Sequence, residues 1–181
     1  MAVGNVTDNG APPTWPERLI ALIGRTMAWL TVLMVLLTFG IVLLRYGFNL
    51  GWVGLQESVT YLHAAIFMLT AAWALQTDDH VRVDIFYRGF TPRHKAVVNV
   101  LGSLFLLLPF CLLLLTYGWP YVETAWRVRE GSREAGGLPL VYLLKSLILV
   151  LPLLLVVQAG NGAVRAVRDL RRPLARGGPM A

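Results

Sequence analysis

The chain has 181 residues, of which 56% are hydrophobic and 14% are charged, and its mean hydropathy is +0.62. Soluble domains carry about 25% charged residues, so this composition excludes an ordinary water-soluble protein. The formal net charge of +6 does not indicate a nucleic-acid partner, because multi-span membrane proteins concentrate lysine and arginine in cytoplasmic loops and no basic patch here is interleaved with base-stacking aromatics.

Four long apolar runs predict four transmembrane helices. Each run has about twenty residues, the length that crosses a hydrocarbon core of about 30 Å at about 1.5 Å per residue. We therefore predict an all-α integral membrane protein with four transmembrane helices plus short interfacial helices. The predicted spans are about 26–44, 57–76, 96–118 and 140–159. The predicted regions are a flexible tail (1–16), a membrane domain (17–162) and a basic tail (163–181).

The distribution of cations predicts the topology. Eleven of the sixteen lysines and arginines lie before the first span, between the second and third spans, or after the fourth span, whereas four lie on the opposite side. The positive-inside rule then places both termini and the central loop in the cytoplasm. An even number of spans agrees with termini on one side.

The central loop between the second and third spans is the long charged segment in the interior of the chain. In it Asp78 precedes Arg82, and Asp84 precedes Arg88, by four residues, which is the favourable order for ion pairs on a helix. This spacing predicts a short interfacial helix. Thr91-Pro92 then has the residue types of a cap and first turn, and predicts the start of the next helix.

The histidines and the cysteine do not form the pattern of a cofactor site. A bis-histidine haem needs histidines on facing helices, and His63 alone lies in a predicted span. The His, Cys and carboxylate spacings are not those of metal clusters. We predict that His63 forms a helix–helix hydrogen bond, that Cys111 is a packing residue, and that the chain is not an enzyme and holds no cofactor.

Lys145 is a charge inside the fourth predicted span, about five residues from its start. An intramembrane ionisable residue is a candidate functional site. The structural alternatives are that its ammonium group reaches the interface or that it pairs with Glu57 at the same end of the second span. At that end of the first span, Arg45 continues a stripe with Thr31 and Thr38 that we expect to mark a packed side.

The segment Trp73-Ala-Leu-Gln-Thr-Asp-Asp-His-Val-Arg-Val-Asp-Ile-Phe-Tyr87 resembles the signature of the DctQ-type small permease subunit of tripartite ATP-independent periplasmic (TRAP) transporters. Further similarities lie at Arg45-Tyr46, at Glu57, in the Gly136–Pro139 segment with Lys145, and at Gln158. The resemblance covers about residues 18–170.

The resemblance implies a small scaffold subunit in the bacterial inner membrane. It would brace a large permease subunit, which carries the substrate and sodium sites, and work with a periplasmic substrate-binding protein and membrane lipids in sodium-coupled uptake of organic acids (carboxylates or keto acids). The central loop would hold the helix ends or the large subunit through Asp78, His80, Arg82 and Asp84. Docking of the periplasmic protein is a hypothesis for Trp126, Arg129, Arg133 and Glu134, with a solvated turn as the alternative.

Two other classes of function are compatible with the sequence. The chain could be an autonomous four-helix small transporter, although a secondary transporter usually has discontinuous helices and internal repeats. It could also be a haem-bearing membrane anchor of a respiratory enzyme, which would depend on His63.

Overall fold

The computed structural model describes residues 13–77 and 90–171, which form four helical rods. Each rod is long and apolar enough to cross a membrane, which confirms the predicted all-α fold with four spans. The helices are α1 (Trp15–Phe48), α2 (Val53–Gln76), α3 (Pro92–Gly102), α4 (Leu108–Arg127) and α5 (Val141–Arg171). A π-helical turn, Ser103–Leu107, joins α3 to α4, so that the two make the third rod.

The helices extend well beyond the predicted spans. α1 begins at Trp15 rather than near residue 26, and α5 continues to Arg171 rather than ending near 159. α4 continues to Arg127, beyond the predicted end of the third span near residue 118. Hydropathy locates the segment that crosses hydrocarbon, whereas a helix continues for as long as its backbone hydrogen bonds and side-chain contacts favour it.

Local sequence accounts for several helix ends. Thr91 has an extended backbone and its side chain accepts a hydrogen bond from the backbone N–H of His94, with Pro92 in the first turn, which confirms the predicted start of this helix. α1 is capped by Asn49, which follows its last residue, has φ 53° and donates its N–H to the carbonyl of Leu44. Asparagine is one of the few residues other than glycine that readily adopt this left-handed C-cap.

The π-helical turn lies directly before Pro109 in the third rod. Proline has no N–H, so it removes one hydrogen bond from a helix and its ring crowds the preceding turn. The backbone N–H of Leu108 bonds to the carbonyl of Ser103, five residues earlier, which is the π pattern. The structure therefore shows a change of hydrogen-bond register next to this proline, and both features are recognised causes of helix kinks.

The bundle is built around α2 and α5. α2 packs between α1 and α5, and α5 also packs along α4. One core cluster includes Ile20, Ala72, Cys111 and Leu155, so Cys111 lies in the packed interior as predicted. Gly24 of α1 lies against the indole ring of Trp73, where a Cβ atom would come within 2.4 Å of a ring carbon.

Candidate interaction sites at the two ends of the bundle

The bundle has a terminal end, where α1 begins and α2 and α5 end, and a loop end, where the connection 128–140 joins α4 to α5. Glu57, in the first turns of α2, fastens this connection at the loop end. Its carboxylate accepts a hydrogen bond from the Ser132 hydroxyl and another, of 2.6 Å, from the backbone N–H of Leu138. The prediction that Glu57 is a structural residue is consistent with these contacts, which join α2 to a segment about eighty residues later in the chain.

Glycines allow the connection to lie this close to α2. A Cβ atom on Gly137 would come within 2.3 Å of the Ser132 hydroxyl and 2.8 Å of the Glu57 carboxylate. Gly136 has φ +79°, a conformation that L side chains rarely adopt. The Gly136-Gly137 pair singled out in the sequence therefore serves close packing of the loop on α2.

Lys145 lies in the second turn of α5 and its charge is neutralised inside the chain. Its Nζ atom donates a 2.6 Å hydrogen bond to the Glu130 carboxylate and lies 3.9 Å from the centroid of the Tyr121 ring. The predicted alternative of a Lys145–Glu57 pair is wrong, because the Lys145 ammonium group pairs with Glu130, while the Glu57 carboxylate binds the connection between α4 and α5. The ammonium group reaches toward the loop end and finds its counter-charge there.

The four docking candidates lie at the end of α4 and in the connection that follows, and all are exposed. Trp126 also has a structural role, since its indole N–H donates to the Ser146 hydroxyl (2.8 Å) and its ring packs edge-on against Tyr142. Arg129 adopts φ 47° just after the helix ends. Arg133 and Glu134 follow, and the Glu134 backbone N–H donates to the Ser132 hydroxyl, which holds this turn in place.

Two further candidates face outward rather than into the bundle. Arg45 is exposed in the last turn of α1. His63 is exposed near the middle of α2. Within the part of the chain that the structure describes, the predicted helix–helix hydrogen bond of His63 is not formed, because the groups that pack on α2 lie on its other sides.

The remaining candidates, Asp78, His80, Arg82 and Asp84, lie outside the described residues, as does the predicted interfacial helix.

Sequence reasoning missed an ionic contact at the terminal end. Glu17 is only 2% exposed; its carboxylate accepts from the Arg165 guanidinium and, at 2.8 Å, from the backbone N–H of Thr14. The amide of Gln76 donates to the backbone carbonyl of Glu17 (3.3 Å), so α1, α2 and α5 meet here. The Thr14-x-x-Glu17 spacing is that of a capping box, so the sequence contains a local signal for the start of α1 at this point. The Arg165 partner is 148 residues away and had no local signal.

The two ends of the bundle therefore contain ion pairs that connect elements of the chain to each other. Over the two described stretches, 13–77 and 90–171, no three His, Cys, Asp or Glu side chains form a group that could hold a metal ion. A shallow apolar pocket beside the turn between α1 and α2 has a volume of about 10 Å³, comparable with one water molecule. These contacts are suited to fixing helices and loops in place.

Searches of curated proteins and of solved structures give no match. A family model described as "Tripartite ATP-independent periplasmic transporters, DctQ component" matches residues 34–172, well over half of the chain. The matched region contains α2 to α5 and the part of α1 that leads to the loop end. This family match agrees with the resemblance found at the central loop. The chain therefore belongs to the DctQ family, the small permease component of TRAP transporters.

Proposed function

We propose that this chain is a non-enzymatic scaffold subunit that braces the large permease subunit of a TRAP transporter in a bacterial inner membrane. The observation that carries the proposal is the internal use of its ionic groups. Lys145 is paired with Glu130, and Glu17 with Arg165, so these charges link helices and loops of this chain. A transport pathway, by contrast, needs polar groups that are available to a solute.

In this role the chain stays fixed, and the conformational change of transport takes place in the large permease subunit. The large subunit carries substrate and sodium, a periplasmic binding protein delivers the organic acid, and this chain needs no cofactor. A rigid neighbour enlarges the membrane-embedded body against which a transport domain moves. The fastening of the connection 128–140 to α2 and α5 supports such rigidity, because it ties the only long described connection to two helices.

Reconstitution in liposomes tests the proposal. We expect sodium-dependent uptake of an organic acid when this chain, the large permease subunit and the periplasmic binding protein are all present. The chain by itself should give no uptake above empty liposomes, and purified chain should show no Soret band. Uptake by the isolated chain would instead establish an autonomous transporter, and a Soret band lost in a His63→Leu variant would establish a haem anchor.

The same assay tests docking at the loop end. The proposal is that Arg129 and Arg133, both exposed on the fastened connection, attract the periplasmic protein. Replacing both with serine should raise the concentration of binding protein needed for half-maximal uptake and leave uptake at saturation unchanged. An unchanged concentration dependence would assign these arginines to a solvated turn.

A further inference from the structure

α2 exposes one narrow stripe of side chains. Within Val53–Gln76 four side chains are exposed, and the others are half-buried or buried: the four are Gln56, Thr60, His63 and Phe67. Their spacings of four, three and four residues put them on one side of the helix. α1 and α5 pack on the other sides. We call these four residues the exposed face of α2.

His63 lies at the depth where an unpaired polar group is least favourable. It is ten residues after Val53 and thirteen before Gln76, which places it about 15 Å along the helix axis from the start of α2. Its ring carries an N–H donor and a nitrogen acceptor. Lipid chains offer neither, so a histidine at this depth normally faces protein or a water-filled cavity and is paired there.

Other polar side chains in the spans show how this chain normally satisfies such groups. The hydroxyls of Thr38 and Thr116 are exposed, but each donates to the carbonyl four residues earlier in its own helix. Lys145 has Glu130. His63, by contrast, has no hydrogen-bond or ionic partner among the described residues.

We infer that the exposed face of α2 packs against a transmembrane helix of the large permease subunit, and that His63 forms a side-chain hydrogen bond with a polar group on that helix. The inference rests on the proposed function and adds the surface through which the two subunits meet. Lipid cannot satisfy the imidazole. A second copy of this chain is the alternative protein occupant, and the experiment below distinguishes it.

Site-specific photo-cross-linking in the co-expressed complex tests the surface. A photoreactive phenylalanine analogue replaces Phe67, which is 68% exposed on this face, or Phe39, which is 60% exposed on α1. The large subunit carries the affinity tag. We expect a cross-link from position 67 to the large subunit that is at least several-fold stronger than the one from position 39.

Each other outcome has a distinct meaning. A cross-link from position 67 to a second copy of this chain, or none to protein while the large subunit still co-purifies with the chain, would overturn the inference and leave the proposed function standing. A stronger cross-link from position 39 would do the same. Failure of the wild-type chain to co-purify with the large subunit at all would overturn the proposed function, and this inference with it.

Substitution of His63 tests the hydrogen bond. Interhelical hydrogen bonds in membranes contribute about 0.6–1.7 kcal/mol, so His63→Leu should lower the amount of chain retained on the tagged large subunit about 3- to 15-fold during detergent washing. His63→Gln keeps a donor and an acceptor and should restore most of the retention. The thermal stability of the isolated chain should be unchanged in both variants, because the side chain is exposed there. Equal retention of His63→Leu and wild type would exclude the bond.

Discussion

At the scale of single residues, Lys145 shows how the chain accommodates a charge within an apolar span. The Lys145 side chain is 14% exposed and that of its partner Glu130 is 29% exposed, so water reaches only part of either side chain and the pairing offsets the lost hydration. Tyr121 adds a ring face beneath the cation. By contrast, Arg127 and Glu123, on consecutive turns of α4, form an ion pair with 2.9 Å between the guanidinium nitrogen and the carboxylate oxygen. Their side chains are 74% and 50% exposed, so both charges remain in contact with water.

These two pairs predict different costs of substitution. Lys145→Met leaves the Glu130 carboxylate half-buried without its partner and should destabilise the chain by about 1–2 kcal/mol, after allowance for partial exposure. In detergent this corresponds to a fall in Tm of about 2–8 °C. Glu123→Gln is the control and should lower Tm much less, because exposed pairs contribute about 0.2–1 kcal/mol.

A double substitution measures the interaction energy between Lys145 and Glu130 separately from the contacts that each makes with other groups. Lys145→Met combined with Glu130→Gln removes both charges, and its Tm should lie above the value expected from adding the two single effects. Additive effects would show that the two side chains are not coupled.

At the scale of elements, the contact between α1 and α2 depends on one glycine. Gly24 has Trp73 ring carbons at 2.4, 2.5 and 2.8 Å from the position of a Cβ atom. Trp73 in turn packs on the core cluster that includes Ile20 and Ala72. The ring is held at its base and cannot move aside as the tip of a flexible side chain could, so the close approach of the two helices requires glycine.

Gly24→Ala should therefore separate α1 from α2. Overpacking of this kind costs about 1–3 kcal/mol, and thermal unfolding of the purified chain should show a correspondingly lower Tm. Gly40→Ala is the matched control on the same helix, where a Cβ atom meets nothing within 4 Å. Its Tm should be unchanged or slightly raised, because alanine favours helix over glycine by up to about 1 kcal/mol. A Gly24→Ala chain as stable as Gly40→Ala would contradict the packing argument.

At the scale of the whole molecule, four rods long enough to cross a membrane predict that the terminal end and the loop end lie on opposite sides of it. The excess of arginine and lysine at the terminal end predicts that this end is cytoplasmic. The native Cys111 is fully buried, so it should not react with a membrane-impermeant maleimide and can remain in place.

Variants that each carry one introduced cysteine, in addition to the native Cys111, test this orientation. Ala135→Cys in the connection at the loop end and Arg18→Cys near the start of α1 both replace exposed residues. In intact spheroplasts the impermeant maleimide should label the cysteine at position 135 and should label the one at position 18 only after permeabilisation. The reverse labelling pattern would show that the topology is inverted and that Arg129 and Arg133 do not face the periplasm. The wild-type chain serves as the unlabelled control.

The sequence alone determined the membrane class, the four spans and the cap at Thr91, because hydropathy and helix capping are local properties of consecutive residues. The motif that resembles the DctQ component was equally readable, and the family match agrees with it. Tertiary structure decided the partners of the charged groups. Glu57 binds Ser132 and Leu138 rather than Lys145. Glu17 meets Arg165 across most of the chain's length. Such pairings depend on which helix faces meet and on where a loop folds back, and a linear pattern of charges does not specify either.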